Sequence, residues 1–164
     1  MALIRLNNQS LTNVTALPYG VGGKVLQVVN ASFSSVVSTS STSFVSLGSP
    51  AIEATITPTN TSSKILIRFM CAAYTNNTGE GMYTTVFRGT VASGTNLGNG
   101  ASGLCRFQGT NSQNLNNMPF EVMDSPATTS ATTYQIGFRS TNAADKYFFH
   151  DNKPGEIVLM EIAG

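Results

Sequence analysis

Chemistry needs particular side chains at particular spacings, and several sets in this chain raise the question. The segment 98–103, GNGASG, matches the dinucleotide fingerprint GxGxxG letter for letter. That fingerprint works between a strand and a helix whose N-terminus faces the pyrophosphate. Here LCRF follows, a strand pattern, so the segment reads as a loop. Nucleophilic catalysis needs a base, usually His, beside a Ser, Thr or Cys. The chain has one His, His150, next to Asp151, and no GxSxG elbow. His150 therefore reads as a turn residue at a strand end. A metal would have to draw on Asp145, His150, Asp151 and Glu156, whose spacing fits no standard ligand pattern. Carboxylate pairs for glycoside cleavage would come from Glu53, Glu80, Glu121, Asp124, Glu156 and Glu161, but the chain has no Trp to line a sugar cleft. Sequons at Asn13, Asn30, Asn60 and Asn76 are what an Asn-, Ser- and Thr-rich composition produces. The expectation is a protein that is not an enzyme, with no cofactor and no metal.

One set remains. Arg68, Arg88, Arg106 and Arg139 each lie in or at the end of a strand-like run, beside Phe69, Phe87, Phe107 and Phe138. An Arg in a strand either faces solvent or pairs across an interface, where Arg and aromatics are favoured. Both readings stay open, and the eight residues are kept as a candidate subunit interface.

The elements that must position these residues are strands. The longest run is 64–74, KILIRFMCAAY. Ile65, Ile67, Phe69 and Cys71 fall on one face and Leu66, Arg68, Met70 and Ala72 on the other, which predicts a strand buried on one side and largely covered on the other. The turn cluster TPTNTSS at 57–63 fixes its start. Further strands are expected over 24–33, 43–47, 51–57, 82–88, 104–108, 118–123, 132–139, 146–150 and 156–162. Polar turns separate them at 38–42, 76–81 and 109–116, with a Gly-rich connection at 89–103. No window holds a helical period. Short strands at this spacing indicate an all-β sandwich or barrel. Cys71 and Cys105 both sit in strand runs and read as free buried thiols.

Residues 1–23 differ. Ile4, Leu6, Leu11, Val14 and Leu17 are scattered among Asn, Gln, Ser and Thr, and PYGVGG then breaks the chain. This predicts an extended arm and hinge ahead of a domain at 24–164. Five large aliphatics are costly to leave in water, so the arm is expected to dock on something. Charged residues make up only 10% of the chain, against about 25% in an average domain, and the net charge is +1. That leaves no electrostatic footprint for nucleic acid or an anionic membrane. A polar, weakly charged surface suits a chain packed against copies of itself.

The motifs KVLQVVNASF, STSFVSLG, ATITPTNTSSKILIRF, FRGT, DSPATTSATTYQIGFRS and IVLMEIAG resemble a family of virion structural proteins of tailed bacteriophages. The resemblance covers most of 24–164, and ITPTNTSSKILI is its most specific part. It implies a jelly-roll-like antiparallel β-sandwich that forms a homotrimer in the virion, after assembly in the host cytoplasm. Only about 23 residues precede the sandwich, too few for the attachment domain and shaft of a long tail fibre. The expected role is therefore a capsid decoration, or cement, protein (a head fibre), anchored by its arm to the major capsid protein or another virion protein. The alternative is a tail-fibre tip whose loops 76–81, 92–103 and 109–117 contact host surface glycan.

Overall fold

The structure, a computed structural model, describes residues 24–75, 78–110 and 113–164. Their strands are β1 (Val25–Phe33), β2 (Val37–Thr39), β3 (Glu53–Ile56), β4 (Lys64–Thr75), β5 (Gly81–Arg88), β6 (Thr95–Asn96), β7 (Cys105–Gln108), β8 (Asn114–Asp124), β9 (Thr132–Ser140), β10 (Lys146–Phe148) and β11 (Gly155–Ile162). Two antiparallel sheets form a sandwich. The first runs β1-β11-β4-β10-β2, with β8 on the other side of β4; the second runs β3-β9-β5-β6, with β7 also on β5. Neighbours in space are mostly distant in sequence, and the main strands alternate between sheets as in a jelly roll.

Strand β4 is the axis of the first sheet. It is twelve residues long and pairs with β8 along its whole length, from Ile65–Asp124 to Thr75–Asn114. Along its other side β11 takes Lys64 to Met70, and β10 takes Ala73 and Tyr74. Its inward residues Ile65, Ile67, Phe69 and Cys71 are all at most 3% exposed. They meet Ile157 and Leu159 of β11, Met118 and Phe120 of β8, and Met82, Val86, Ile136 and Phe138 from the second sheet. Rings fill the middle: Phe69 lies 5.3 Å from Phe120 and 6.1 Å from Phe138, and Phe138 lies 4.5 Å from Phe148. Gly155 opens β11 where only a glycine fits, since a Cβ there would stand 2.5 Å from the Met70 carbonyl oxygen and 2.6 Å from the Phe149 ring.

Several expectations are corrected. Among the described residues the outward side of β4 is covered only in part, with Ala72 buried and Leu66 half-buried but Arg68 and Met70 exposed. Segment 43–47 is no strand; only Val45 bridges, to Phe138. The polar turn expected at 38–42 begins as strand β2, because β10 offers Val37, Ser38 and Thr39 a ladder. Strand β8 starts at Asn114 rather than 118, inside the Asn-rich loop, because the far half of β4 needs a partner there. The strand expected to reach 150 stops at Phe148, where Phe149 turns to φ +57°.

Candidate interaction surfaces

Inward polar groups cap both ends of the sandwich. At the end where β4 begins, Glu161 of β11 is fully buried and accepts hydrogen bonds from Gln27 Nε2 (2.6 Å), Thr59 N (2.7 Å) and Thr59 Oγ1 (2.7 Å). Burial pushes its carboxyl upward, but the donors Gln27, Ser63 and Thr59 around it outweigh that and hold it down at about 2. Beside it, Asp124 accepts from Arg88 Nη1 at 3.0 Å and from the Tyr134 hydroxyl at 2.8 Å, a clamp that ties β8 to β5 and β9 across the core. Burial, and then the bond to Asp124, raises the Tyr134 phenol far above its ordinary value. At the opposite end, Lys146, fully buried, donates to Glu80 Oε2 (2.7 Å), Ala144 O (2.9 Å) and Asn142 Oδ1 (3.2 Å). The Lys146 ammonium is the main cause holding Glu80 down at about 2, against burial and with help from Asn142 and Thr75. Each of these groups is satisfied inside the fold, which makes them scaffold.

The four arginines do different jobs. Arg88 belongs to the clamp. Arg68 stands on the outer face of the first sheet, its Nε 3.0 Å from Glu121, with both side chains more than half exposed. Arg106 and Arg139 flank Tyr83 on the outer face of the second sheet, their guanidinium carbons 5.5 and 4.4 Å from its ring centre. The aromatic half of the expected interface is corrected. Phe69, Phe87 and Phe138 are 3%, 8% and 0% exposed and Phe107 is half-buried against the core, so these rings pack within the chain. Successive residues of a strand point to opposite faces, so an Arg and its neighbouring Phe cannot share one surface.

The two outer faces differ in cover. On the second sheet, Phe44 lies 6.1 Å from Phe87, and segment 97–104 is pinned along β5 by Leu97 N to Val86 O and Leu104 N to Thr84 O. GNGASG forms part of this cover, a three-residue 3-10 turn at Gly100–Ser102 leading into β7, as a loop should. The first sheet has no such cover among the described residues, and Val28, Met70 and Met123 are 56%, 45% and 48% exposed. Sequence reading placed Leu66, Arg68 and Met70 on this face and expected it to be largely covered. Its signal was the aliphatic residues on both parities of KILIRFM.

Of the other candidates, His150 stacks on Tyr74 at 4.3 Å with Nδ1 3.2 Å from Asp151, and no hydroxyl or thiol among the described residues bonds to it. No group of three metal-ligating side chains occurs among the described residues, and none of their helices is long and apolar enough to cross a membrane. Cys71 and Cys105 are both free, and burial pushes the Cys71 thiol up to about 12. The arm residues Ile4, Leu6, Leu11, Val14 and Leu17 lie outside the described residues.

The ends of the sandwich separate the two loop groups from the chain's entry. Residue 24 leads into β1 at the Glu161 end, where the chain also finishes after β11. Segments 78–80 and 109–110 meet at the opposite end, with Gly79 N donating to Gly109 O and Gly109 N to Glu80 O, both 2.8 Å. About twelve strand residues, or roughly 40 Å, lie between. Segment 97–103 sits along the side.

No protein-family model matches the chain, and no curated protein matches it in sequence. Solved structures do. One of the infectious bursal disease virus Gx strain aligns with a TM-score of 0.45 and 13% identity over 82% of this chain and 37% of that one. T=1 particles derived from the same virus give 0.45 and 12% identity over 84% and 36%. A VP2 subviral particle of that virus gives 0.37 and 11% over 84% and 38%. The chain thus spans little more than a third of the length of the chains it matches.

Proposed function

We propose that this protein is a bacteriophage virion structural protein, and within that class a capsid decoration or cement protein acting as a homotrimer. The observation that carries the reading is the polarity of the sandwich. Residue 24 leads into β1 at one end, and the Asn- and Gly-rich segments 78–81 and 113–117 lie at the other. A module of that shape can be held by its base and present its far loops outward. The family resemblance of the motifs supplies the virion setting, and the low charge agrees with it.

In this reading Ile4, Leu6, Leu11, Val14 and Leu17 bury apolar area on the major capsid protein or another virion protein. At about 25 cal/mol per Å², some 300 Å² would stabilise attachment by about 7 kcal/mol. Attachment rests on the three arms of a trimer acting together. The test is deletion of residues 2–17. The domain should still fold and should no longer join particles; decoration at full occupancy by the truncated protein would overturn the anchoring role. The second reading, a tail-fibre tip contacting host glycan, is favoured by the meeting of segments 78–80 and 109–110 at the far end. Copy number separates the two. Hundreds of copies per virion fit decoration, and a few dozen fit a tip.

A further inference from the structure

The four arginines differ in whether their charge is answered. Arg68 has Glu121 and Arg88 has Asp124, but no described carboxylate lies within ion-pair distance of Arg106 or Arg139. Register puts these two in one row across the outer face of the second sheet. Tyr83 of β5 stands between them, opposite Arg106 of β7 on one side and Arg139 of β9 on the other. Both guanidinium groups lean on its ring, 5.5 and 4.4 Å from the centre, and Arg139 also lies 5.7 Å from the centre of Phe44. Neutral acceptors fix them further: Arg106 Nη2 donates to Gln108 Oε1 at 2.6 Å, and Arg139 Nη1 to Thr42 O at 2.9 Å. Arg139 Nε is buried with no acceptor among the described residues. Two planar cations are thus held in place with their charge uncompensated, and such pre-ordering lowers the cost of binding an anion.

The surroundings narrow what the anion is. The next row toward the far end holds Gln108 and Gly81, with the Thr141 hydroxyl accepting from Gly81 N at 2.8 Å. The row on the other side holds Thr85 and Gly137. No acid stands in these rows to repel an anion. None of the large exposed apolar side chains of the described residues lies on a strand of the second sheet. A protein partner would need an apolar centre to its contact, and this face offers none. Amides and hydroxyls around a cation pair suit a hydrated chain of sugars that carries carboxylates.

We propose that Arg106 and Arg139, held by Tyr83, form a binding site for the carboxylates of an acidic polysaccharide. Each guanidinium offers a planar fork of donors that matches a carboxylate, and Gln108 and Thr141 stand beside them for sugar hydroxyls. Tyr83 is itself buried, so it supports the two cations rather than meeting the ligand. The row lies two residues along β5 and β7 from segments 78–80 and 109–110, at the end opposite the chain's entry. The inference rests on the second reading, a tip that contacts host glycan, and adds the charge class of that glycan and the residues that take it.

The test titrates the full chain with polygalacturonate, an acidic polysaccharide, by isothermal calorimetry at low ionic strength. Dextran serves as the neutral control, with polyglutamate and single-stranded DNA as polyanions that are not sugar acids. The wild type should bind polygalacturonate, lose it as salt is raised, and bind the other three at least several-fold more weakly. Arg106→Gln and Arg139→Gln should each weaken binding about tenfold, and Arg68→Gln on the other sheet should leave it unchanged. Arg106 is exposed, so its variant keeps the fold and decides the matter even where Arg139→Gln unfolds. No binding of polygalacturonate, wild-type affinity in Arg106→Gln, or an equal loss in Arg68→Gln overturns the site. Polyglutamate or DNA bound as tightly overturns the assignment to sugar acids. Dextran binding that survives Arg106→Gln would overturn the site while leaving the glycan-contacting tip standing.

Discussion

Glu161 offers a quantitative test of how the sandwich is closed. It is a fully buried carboxylate surrounded by neutral donors: the Gln27 amide and the Thr59 amide and hydroxyl, at 2.6–2.7 Å, with the Ser63 hydroxyl beside them. Its folded value is about 2, against an ordinary 4.5. A depressed folded value stabilises the protein above the unfolded value and loses that contribution as pH falls toward the folded one. The difference corresponds to about 3 kcal/mol at pH 5 and above, about 1.4 at pH 3 and under about 0.5 at pH 2. Glu161→Gln keeps the shape but turns an NH₂ toward the donors Gln27 Nε2 or Thr59 N. Urea unfolding at pH 7 should show a loss of about 2–3 kcal/mol. The gap between wild type and variant should close between pH 5 and pH 2. A gap below about 0.5 kcal/mol at pH 7, or one that stays constant down to pH 2, would refute the claim that these bonds hold the ionised form.

Two further outcomes follow from the buried groups. Lys146→Met removes the cation bonded to Glu80 and should destabilise by about 3–5 kcal/mol, while adding Glu80→Gln should recover most of the loss; denaturant midpoints that leave the double variant no better than the single would show that the pair does not act as a unit. The Cys71 thiol, pushed up to about 12 by burial, should resist a thiol reagent at pH 8 in the folded protein and react on unfolding in urea; prompt labelling of Cys71 in native protein would mean the core beneath β4 opens readily.

The strands most legible in the sequence were those with strict alternation against an apolar core. KILIRFM and TYQIGF gave their inward residues directly, and Lys64–Thr75 and Thr132–Ser140 are where the pattern put them. Pairing partners were harder to see. Val37–Thr39 and the first residues of β8 look like loop by composition, and they are strands because β10 and β4 present unpaired backbone beside them. Buried charges were not legible at all. Lys146 reads as a surface residue in AADKYFF, and only the fold shows it enclosed by Glu80, Asn142 and backbone oxygens. The candidate surface was half legible. Arg68 was singled out, but pairing it with Phe69 ignored the alternation that sends one outward and the other into the core.

The motifs that carry the family resemblance have a physical meaning that bears on how far they can be read. Gln27 of KVLQ and Thr59 of ITPTNTSSK both donate to Glu161 of MEIAG. Arg88 of FRGT, Asp124 of DSPATTSATTY and Tyr134 at its far end form the neighbouring clamp. Motifs scattered over some 135 positions of sequence thus close a single end of the sandwich. They specify a way of capping a jelly roll with buried carboxylates, which fixes where β1, β4, β5, β8, β9 and β11 meet. A chain could keep all of these contacts and change its partner entirely.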